Sequence, residues 1–420
     1  MPQAPEKVQD DTSKLKMFLS ILRRFIGVTD LASARFSLPA QLLEPTPNLE
    51  YWNYLDRPET FTSIGDSDDE LERMLAVLRF WFTKDLKYVK GKPCKPYNSA
   101  LGEFFRCNWV IEDEPPTVLK GVKSTQTTTT TETSKKPVTV SYLTEQTCHH
   151  PPISAFFVDC PQKSITACGF DQLSVKFTGT SLRVMAGGHN LGIFITLHNR
   201  DEELYQLTHP TAHLGGLLRG SLNVTVADTC YLRCPKTKIK VILHYLEEGW
   251  LGRTQNKVHG VVFRYDPDKD TKSKIKEVSE KDVLARIEGN WQDKLHFTLP
   301  SAPGEKHLLV DLNPLFPAQK IVPPPENQLP NESRRFWSEV TAAIHARQFS
   351  KATVVKQQLE ERQREKTATR AAKGEGWTPR FFIVQGKTGG RPDLTEEGRE
   401  ALRRMQRGDF VLEEGENGGI

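Results

Sequence analysis

Long apolar runs are missing from this chain. No stretch of about 18 apolar residues occurs, which excludes a membrane-spanning helix. The opening residues, MPQAPEKVQDDTSK, hold no apolar core of a secretory signal. An excess of one charge is missing too. Against 57 basic residues stand 53 acidic ones, a net charge of +4 over 420 residues. No global field marks a nucleic-acid binder, no nucleic-acid partner is expected, and any basic function must be local. Cysteine is scarce: seven residues, an odd number without paired spacing, which points to a reducing compartment. Cys107, Cys148, His149, His150, Cys160 and Cys168 share one region, yet none forms a CxxC pair. Neither a metal nor a cofactor is expected. Internal repeats are absent. What is present, 37% hydrophobic and 26% charged residues, suits a soluble globular protein of one large domain or two to three ordinary ones.

Residues 1–13 are polar and expected to be disordered. Then Leu15, Phe18, Leu19, Leu22, Phe25 and Ile26 recur at i, i+3, i+4, i+7, i+10 and i+11, the face of an amphipathic helix. Lys14, Lys16, Arg23 and Arg24 occupy its other faces, and Gly27 is placed to end it. Phe36-Ser37-Leu38-Pro39 reads as a short extended segment. A second helix is expected from about Asp69 to Tyr88, with Ser67 and Glu70 as its capping box.

From Gly102 to about Tyr265 the pattern changes to short runs of β-branched and aromatic residues between turns. Val138–Leu143, Ser181–Met185, Gly192–Leu197, Leu222–Val226 and Lys240–Tyr245 are examples. Together they predict one large antiparallel sheet or barrel. Residues 124–136 are low in complexity and read as a flexible loop, and 317–330 as a proline-rich connector. Ser333 to about Lys373 and Leu394–Arg407 are helical, so the fold class is α+β.

Three constellations carry chemistry. In Glu145-Gln146-Thr147-Cys148-His149-His150-Pro151-Pro152, two imidazoles sit at one point and two prolines fix the backbone beside them. Such a site can donate several hydrogen bonds to one compact anion, above all a phosphate. Lys95-Pro96-Tyr97-Asn98-Ser99-Ala100-Leu101-Gly102-Glu103 offers a point charge at Lys95 and a bifunctional amide at Asn98; on its own it is an ordinary loop with a solvated lysine. Lys356, Glu360 and Arg364 drift only about 40° per step, so they share one helix face. On spacing alone that is a solvent-exposed ladder, with Lys before Glu in the less favourable order. A thiol enzyme would need Cys148 and His149 to meet. Adjacent residues of an extended strand point to opposite faces, and no nucleophile–base–orienter set can be assembled, so the chain does not read as an enzyme.

These constellations resemble the fingerprints of the oxysterol-binding protein-related family, over about residues 14–385. Here Cys148 stands where the family has Ser, and Ser99 where it has Pro. The resemblance implies an incomplete antiparallel β-barrel (39–385) around a hydrophobic lipid tunnel, an N-terminal lid (14–38), helices at the rim, and a C-terminal helix and tail (386–420). It implies that His149, His150 and Arg364 hold the 4-phosphate of phosphatidylinositol 4-phosphate, and that Lys95, Asn98, Lys356 and Glu360 hold the inositol ring and bridging phosphate. A dianionic phosphate beside two imidazoles favours their cationic form. Leu15, Phe18, Leu19, Leu22, Phe25 and Ile26 would face cargo when the lid is closed and anionic bilayer when it is open. Phe36 and Leu38 would join lid to barrel, with Leu38 touching a second lipid.

Each buried methylene contributes about 0.8 kcal/mol, so a diacyl lipid of roughly thirty methylenes needs more than about 20 kcal/mol to enter water bare. A carrier must therefore enclose it. Stretches such as Gly102–Cys107, Phe177–Thr180 and Glu248–Gly252 resemble the short fungal branch that exchanges phosphatidylserine for phosphatidylinositol 4-phosphate. Sterol is the alternative second cargo, and a phosphoinositide sensor that transports nothing is the third reading. The resemblance further implies a monomer that is cytoplasmic and peripheral, at contacts of the endoplasmic reticulum with plasma membrane or Golgi. No pleckstrin-homology domain or ankyrin array is expected before the lid, and no acidic two-phenylalanine motif is found.

Overall fold

The computed structural model describes residues 11–32, 34, 38–90, 95–112, 137–216, 223–246, 256–384 and 390–414. Helices precede and follow one large sheet. Ahead of it lie α1 (Asp11–Leu22), α2 (Asn48–Tyr51), α3 (Pro58–Thr62), α4 (Glu70–Thr83) and α5 (Lys87–Lys90). The strands are β1 (Phe104–Ile111), β2 (Val138–Cys148), β3 (Ile153–Cys160), β4 (Ile165–Asp171), β5 (Leu173–Phe177), β6 (Leu182–Ala186), β7 (Ile193–Leu197), β8 (Glu203–Leu207), β9 (Thr211–Gly215), β10 (Asn223–Cys234), β11 (Ile239–Tyr245), β12 (Lys257–Arg264), β13 (Val283–Asn290), β14 (Lys294–Thr298) and β15 (His307–Asp311). Behind it come α6 (Ser333–Phe336), α7 (Ser338–His345) and α8 (Phe349–Lys373). A small ladder of β16 (Phe382–Ile383) and β17 (Asp393–Leu394) follows, then α9 (Glu396–Gln406).

The sheet is antiparallel and runs β1-β2-β3-β4-β7-β8-β10-β11-β12-β13-β14-β15. Among the described residues its two ends do not pair, so the α+β fold is built on an incomplete barrel. Strand β10 forks it. Residues Asn223–Ala227 pair with β9, which leads to β6 and β5, whereas Leu232 and Arg233 pair with β8. Asp228, at the fork, has φ 69°, a left-handed kink that Asp tolerates better than most residues.

The sheet extends beyond the segment that the sequence predicts. The expected strands end at about Tyr265, yet β13, β14 and β15 carry the sheet to Asp311. The charge-dense stretch 266–282 separates these strands from β12, although within β13 and β14 the buried Val283, Ala285, Ile287, Leu295 and Phe297 still alternate with outward polar positions. The second helix is broken into α4 and α5, and its cap is Asp69, whose carboxylate accepts from the Glu72 N–H at 2.8 Å. The expected Ser67–Glu70 box does not form; Ser67 Oγ accepts from the Asp69 N–H instead, at 3.1 Å. The stretch from Ser333 to Lys373 is three helices, not one, with Arg347 at φ 56° between α7 and α8. The segment 317–330 runs along β1, where Asn108 and Ile321 exchange backbone hydrogen bonds at 2.8 Å.

Helix α4 fills the main core. Met74, Leu75, Val77, Leu78, Phe80 and Trp81 are buried against strands from β1 to β15. Burial of side chains of this size contributes about 1.5–3 kcal/mol each. Period two divides β2 between two cores. Val138, Val140 and Tyr142 face that interior, while Leu143 joins Ala155, Phe381 and the α9 residues Ala401, Leu402 and Met405 on the other face.

Helix α1 bridges two parts of the molecule. Leu15, Leu19 and Leu22 pack with Phe177 and Leu182 of the β5–β6 hairpin, while Phe18 also reaches the cluster of Leu38, Tyr97, Trp337 and Ala352. Backbone contacts clamp the connection: the Leu31 N–H donates to Val175 O at 2.6 Å, and the Val175 N–H to Asp30 Oδ1 at 2.8 Å. Phe25 is half-buried against the hairpin, Ile26 is 64% exposed, and Phe36 lies outside the described residues.

Candidate headgroup site

Tyr97 anchors the Lys95–Glu103 loop. Its ring is fully buried and stacks on Trp337 at 4.8 Å, and its hydroxyl pairs with Thr341 Oγ1 at 2.9 Å. The Tyr97 N–H donates to Thr46 O at 3.2 Å. With Tyr97 turned inward, Lys95 and Asn98 lie at the surface side, and Lys95 Nζ donates to Asn98 Oδ1 at 2.6 Å. Gly102, at φ 77°, makes the turn into β1 that a side chain would resist.

That turn joins the loop to the paired histidines. The Gly102 N–H donates to Gln146 O at 3.0 Å, and the Gln146 N–H to Glu103 O at 2.8 Å. A bulge between Gln146 and Cys148 ends β2, and His149 and His150 follow in an exposed turn closed by a cis His150–Pro151 bond. Their ring centroids are 4.6 Å apart. Cys148 Sγ donates to His150 O at 3.4 Å.

Helix α8 carries the remaining candidates. Lys356 is 3% exposed, unlike the solvated rung the spacing alone suggests, and its Nζ donates to Glu360 Oε1 at 2.7 Å. Arg364 is exposed and pairs with Glu361 at 2.5 Å, not with Glu360. An open pocket lies beside this face, lined among the described residues by Val354, Gln357, Gln358, Glu360, Glu361 and Arg364. Thr353 Oγ1 accepts from the Ala40 N–H at 3.3 Å, which ties α8 to the segment after Leu38.

Two buried carboxylates sit behind these groups. Glu103 accepts from the Ala100 N–H, Ser333 Oγ and Trp337 Nε1; Glu145 accepts from the N–H groups of Arg380 and Phe381. Burial pushes each of them up to about 7, against the pull of these donors. Both were visible in the motifs as glutamates without a role.

A polar cluster inside the sheet has no counterpart in the sequence reading. Tyr54, at φ 58°, donates its hydroxyl to Asp171 Oδ1 at 2.5 Å and stacks on His209 at 5.6 Å. Lys84 Nζ lies 5.0 Å from the Tyr54 ring and 4.5 Å from that of Trp81. It also pairs with Asp85. Burial pushes Asp171 up to about 7, helped by the charge of Asp85, and burial followed by Lys84 pushes His209 down to about 3. Both side chains are only half-buried.

The raised Asp171 pKa has a measurable sign. The folded state binds this proton more tightly than the unfolded chain, so its stabilisation is full below about pH 4 and is lost as pH rises through about 7. Asp171→Asn removes the loss while keeping an acceptor for Tyr54. The Tm of the variant relative to the parent should therefore rise between pH 5 and 8 in a thermal-melt series. Parallel curves would contradict this.

Among the described residues no helix is long and apolar enough to cross a membrane, and no group of three or more His, Cys, Asp or Glu side chains could hold a metal ion.

A family model described as Oxysterol-binding protein matches residues 17–401. The fission yeast Oxysterol-binding protein-like protein 1 is 42% identical, over 97% of this chain and 94% of its own length. Human Oxysterol-binding protein-related protein 11 is 29% identical over 90% of this chain, which spans only 49% of that longer protein. Two solved structures share the fold at 19% identity. The Osh1 ORD domain in complex with ergosterol has a TM-score of 0.68, covering 99% of this chain and 94% of its own. The Osh3 ORD in complex with PI(4)P from Saccharomyces cerevisiae has a TM-score of 0.63, covering 98% and 96%.

Proposed function

The chain belongs to the oxysterol-binding protein family, and on that premise we propose that it is a lipid carrier exchanging phosphatidylserine for phosphatidylinositol 4-phosphate between membranes. One observation carries the reading. The Lys95 loop, the paired-histidine turn and the α8 region are tied into one scaffold through Gly102–Gln146 and through Tyr97–Trp337. His149, His150 and Arg364 hold the 4-phosphate, an anion suited to imidazolium and guanidinium donors. Lys95, Asn98, Lys356 and Glu360 hold the inositol ring and bridging phosphate. The exposed lining of the α8 pocket gives the headgroup access from solvent.

Helix α1 acts as a lid over the acyl chains, which supply most of the energy of enclosure. Leu38, 6% exposed beside Tyr97 and Trp337, meets the second lipid. Opened, the apolar face of α1 and its basic neighbours engage anionic membrane, with the exposed Ile26 as a first contact. The protein works without covalent chemistry, as a monomer in the cytoplasm, at contacts of the endoplasmic reticulum with plasma membrane or Golgi. Sterol as second cargo is the other reading. It is favoured by Tyr54, Asp171 and His209, since an interior hydrogen-bonding wall suits a cargo hydroxyl better than an acyl end.

A two-liposome transfer assay with phosphatidylserine and ergosterol side by side separates them. Phosphatidylserine transfer accelerated by phosphatidylinositol 4-phosphate in the acceptor is the expected result. Acceleration of ergosterol alone supports the second reading, and headgroup binding with no transfer of either leaves only a sensor.

A further inference from the structure

Helix α8 contributes three headgroup contacts, yet only Ala352 and Lys356 of its described residues are buried. Its apolar stripe of Phe349, Ala352, Val355 and Leu359, packed on the Tyr97–Trp337 cluster, is narrow and mostly half-exposed. Its flanks are held as well. Before it, Ser333 Oγ donates to Glu103 Oε1 at 2.6 Å, and Trp337 Nε1 donates to Glu103 Oε2 at 3.1 Å. After it, the N–H groups of Arg380 and Phe381 donate to Glu145 Oε1 and Oε2, both at 2.8 Å.

The two acids are neighbours. Glu103 immediately precedes β1, whose first residue Phe104 pairs with Glu145 across the ladder. Glu145, on β2, lies four residues before His149, which opens the turn after that strand. Both are essentially inaccessible, at 0% and 1% exposure. A buried carboxylate is costly unless its acceptors are satisfied, and an apolar residue would fill the same space more cheaply.

We propose that Glu103 and Glu145 are positioning residues: from one strand pair they hold both flanks of α8 against the paired-histidine turn, and so set how strongly a 4-phosphate is gripped. The inference rests on the headgroup reading above. It assigns the motif glutamates a task distinct from touching lipid.

The two acids differ in what can replace them. Both oxygens of Glu145 accept from main-chain N–H groups, which cannot reverse. Glutamine there sets an NH2 against an N–H and loses one bond. Glu103 meets a hydroxyl on one oxygen. Ser333 can turn to accept from a glutamine NH2, while the remaining oxygen still serves Ala100 and Trp337.

The test compares extraction of phosphatidylinositol 4-phosphate and of phosphatidylinositol from liposomes by the full chain. The parent should favour the phosphorylated lipid. Glu145→Gln should lower that preference at least tenfold. Glu103→Leu should do the same, and Glu103→Gln should restore it. General damage to the fold would depress both lipids together and leave the ratio unchanged, and that outcome overturns the proposal. Should Glu145→Gln fail to fold, Glu145→Asp carries the same ratio test. It keeps the charge on a stem too short to reach both N–H groups. A parent protein with no preference for the phosphorylated lipid removes the headgroup reading itself, and the clamp with it.

Discussion

Replacing His149 and His150 together with Ala is expected to weaken extraction of phosphatidylinositol 4-phosphate at least about 100-fold, because each hydrogen bond to a charged group is worth about 1.5–3 kcal/mol and about 1.4 kcal/mol is tenfold. The fold should be spared. Both rings sit in an exposed turn beyond the end of β2, where substitutions usually change stability by less than about 0.5 kcal/mol. Sedimentation of labelled liposomes beside a thermal melt checks both halves. Extraction within threefold of the parent would mean that the phosphate is held elsewhere. A large drop in Tm would mean that the turn is structural.

Arg106→Met should be the most damaging single change away from the lipid. Arg106 donates to both Glu332 oxygens at 3.2 Å, and the side chains are 0% and 1% exposed. Burial pushes the Glu332 carboxyl up and the Arg106 guanidinium down, in each case against the attraction of the partner. Desolvation thus outweighs pairing on both sides, so the pair contributes little net stability while each member depends on the other. Removing Arg106 alone strands a buried carboxylate and should cost about 3–5 kcal/mol. For a chain of this length that is a Tm loss of about 3–6 °C. Arg106→Met with Glu332→Gln should recover more than half of it. A single variant melting within about 1 °C of the parent would contradict the account.

The sequence disclosed the fold class and the chemistry of the site more readily than its scaffold. β-Branched and apolar runs marked β2, β7 and β11, whose side chains fill the main core on one face and, in β2 and β11, a second apolar cluster on the other. The pattern stopped short of β13 to β15, which lie beyond the charge-dense stretch 266–282 and of which β14 and β15 are only five residues long. The paired histidines, Lys95 and the Lys356 face stood out as residue types at fixed spacing. Burial of Lys356 did not, since helical spacing says which residues share a face but not what covers it. Tyr54, Lys84, Asp171 and His209 could not have been found by pattern. They come from a loop, a helix end, the last residue of β4 and a strand connection, and only the curl of the sheet around α4 brings them together. Glu103 and Glu145 were legible as motif letters, but their task depends on donors more than 200 residues away.

One protein molecule should remove one phosphoinositide from a bilayer and enclose it. Incubating the full chain with phosphatidylinositol 4-phosphate liposomes, pelleting them, and measuring by native mass spectrometry the lipid that stays with the protein decides this. The account predicts a one-to-one complex in the supernatant that survives removal of the membranes and disappears in His149→Ala/His150→Ala. Protein that binds the liposomes but leaves every lipid in the pellet would contradict it.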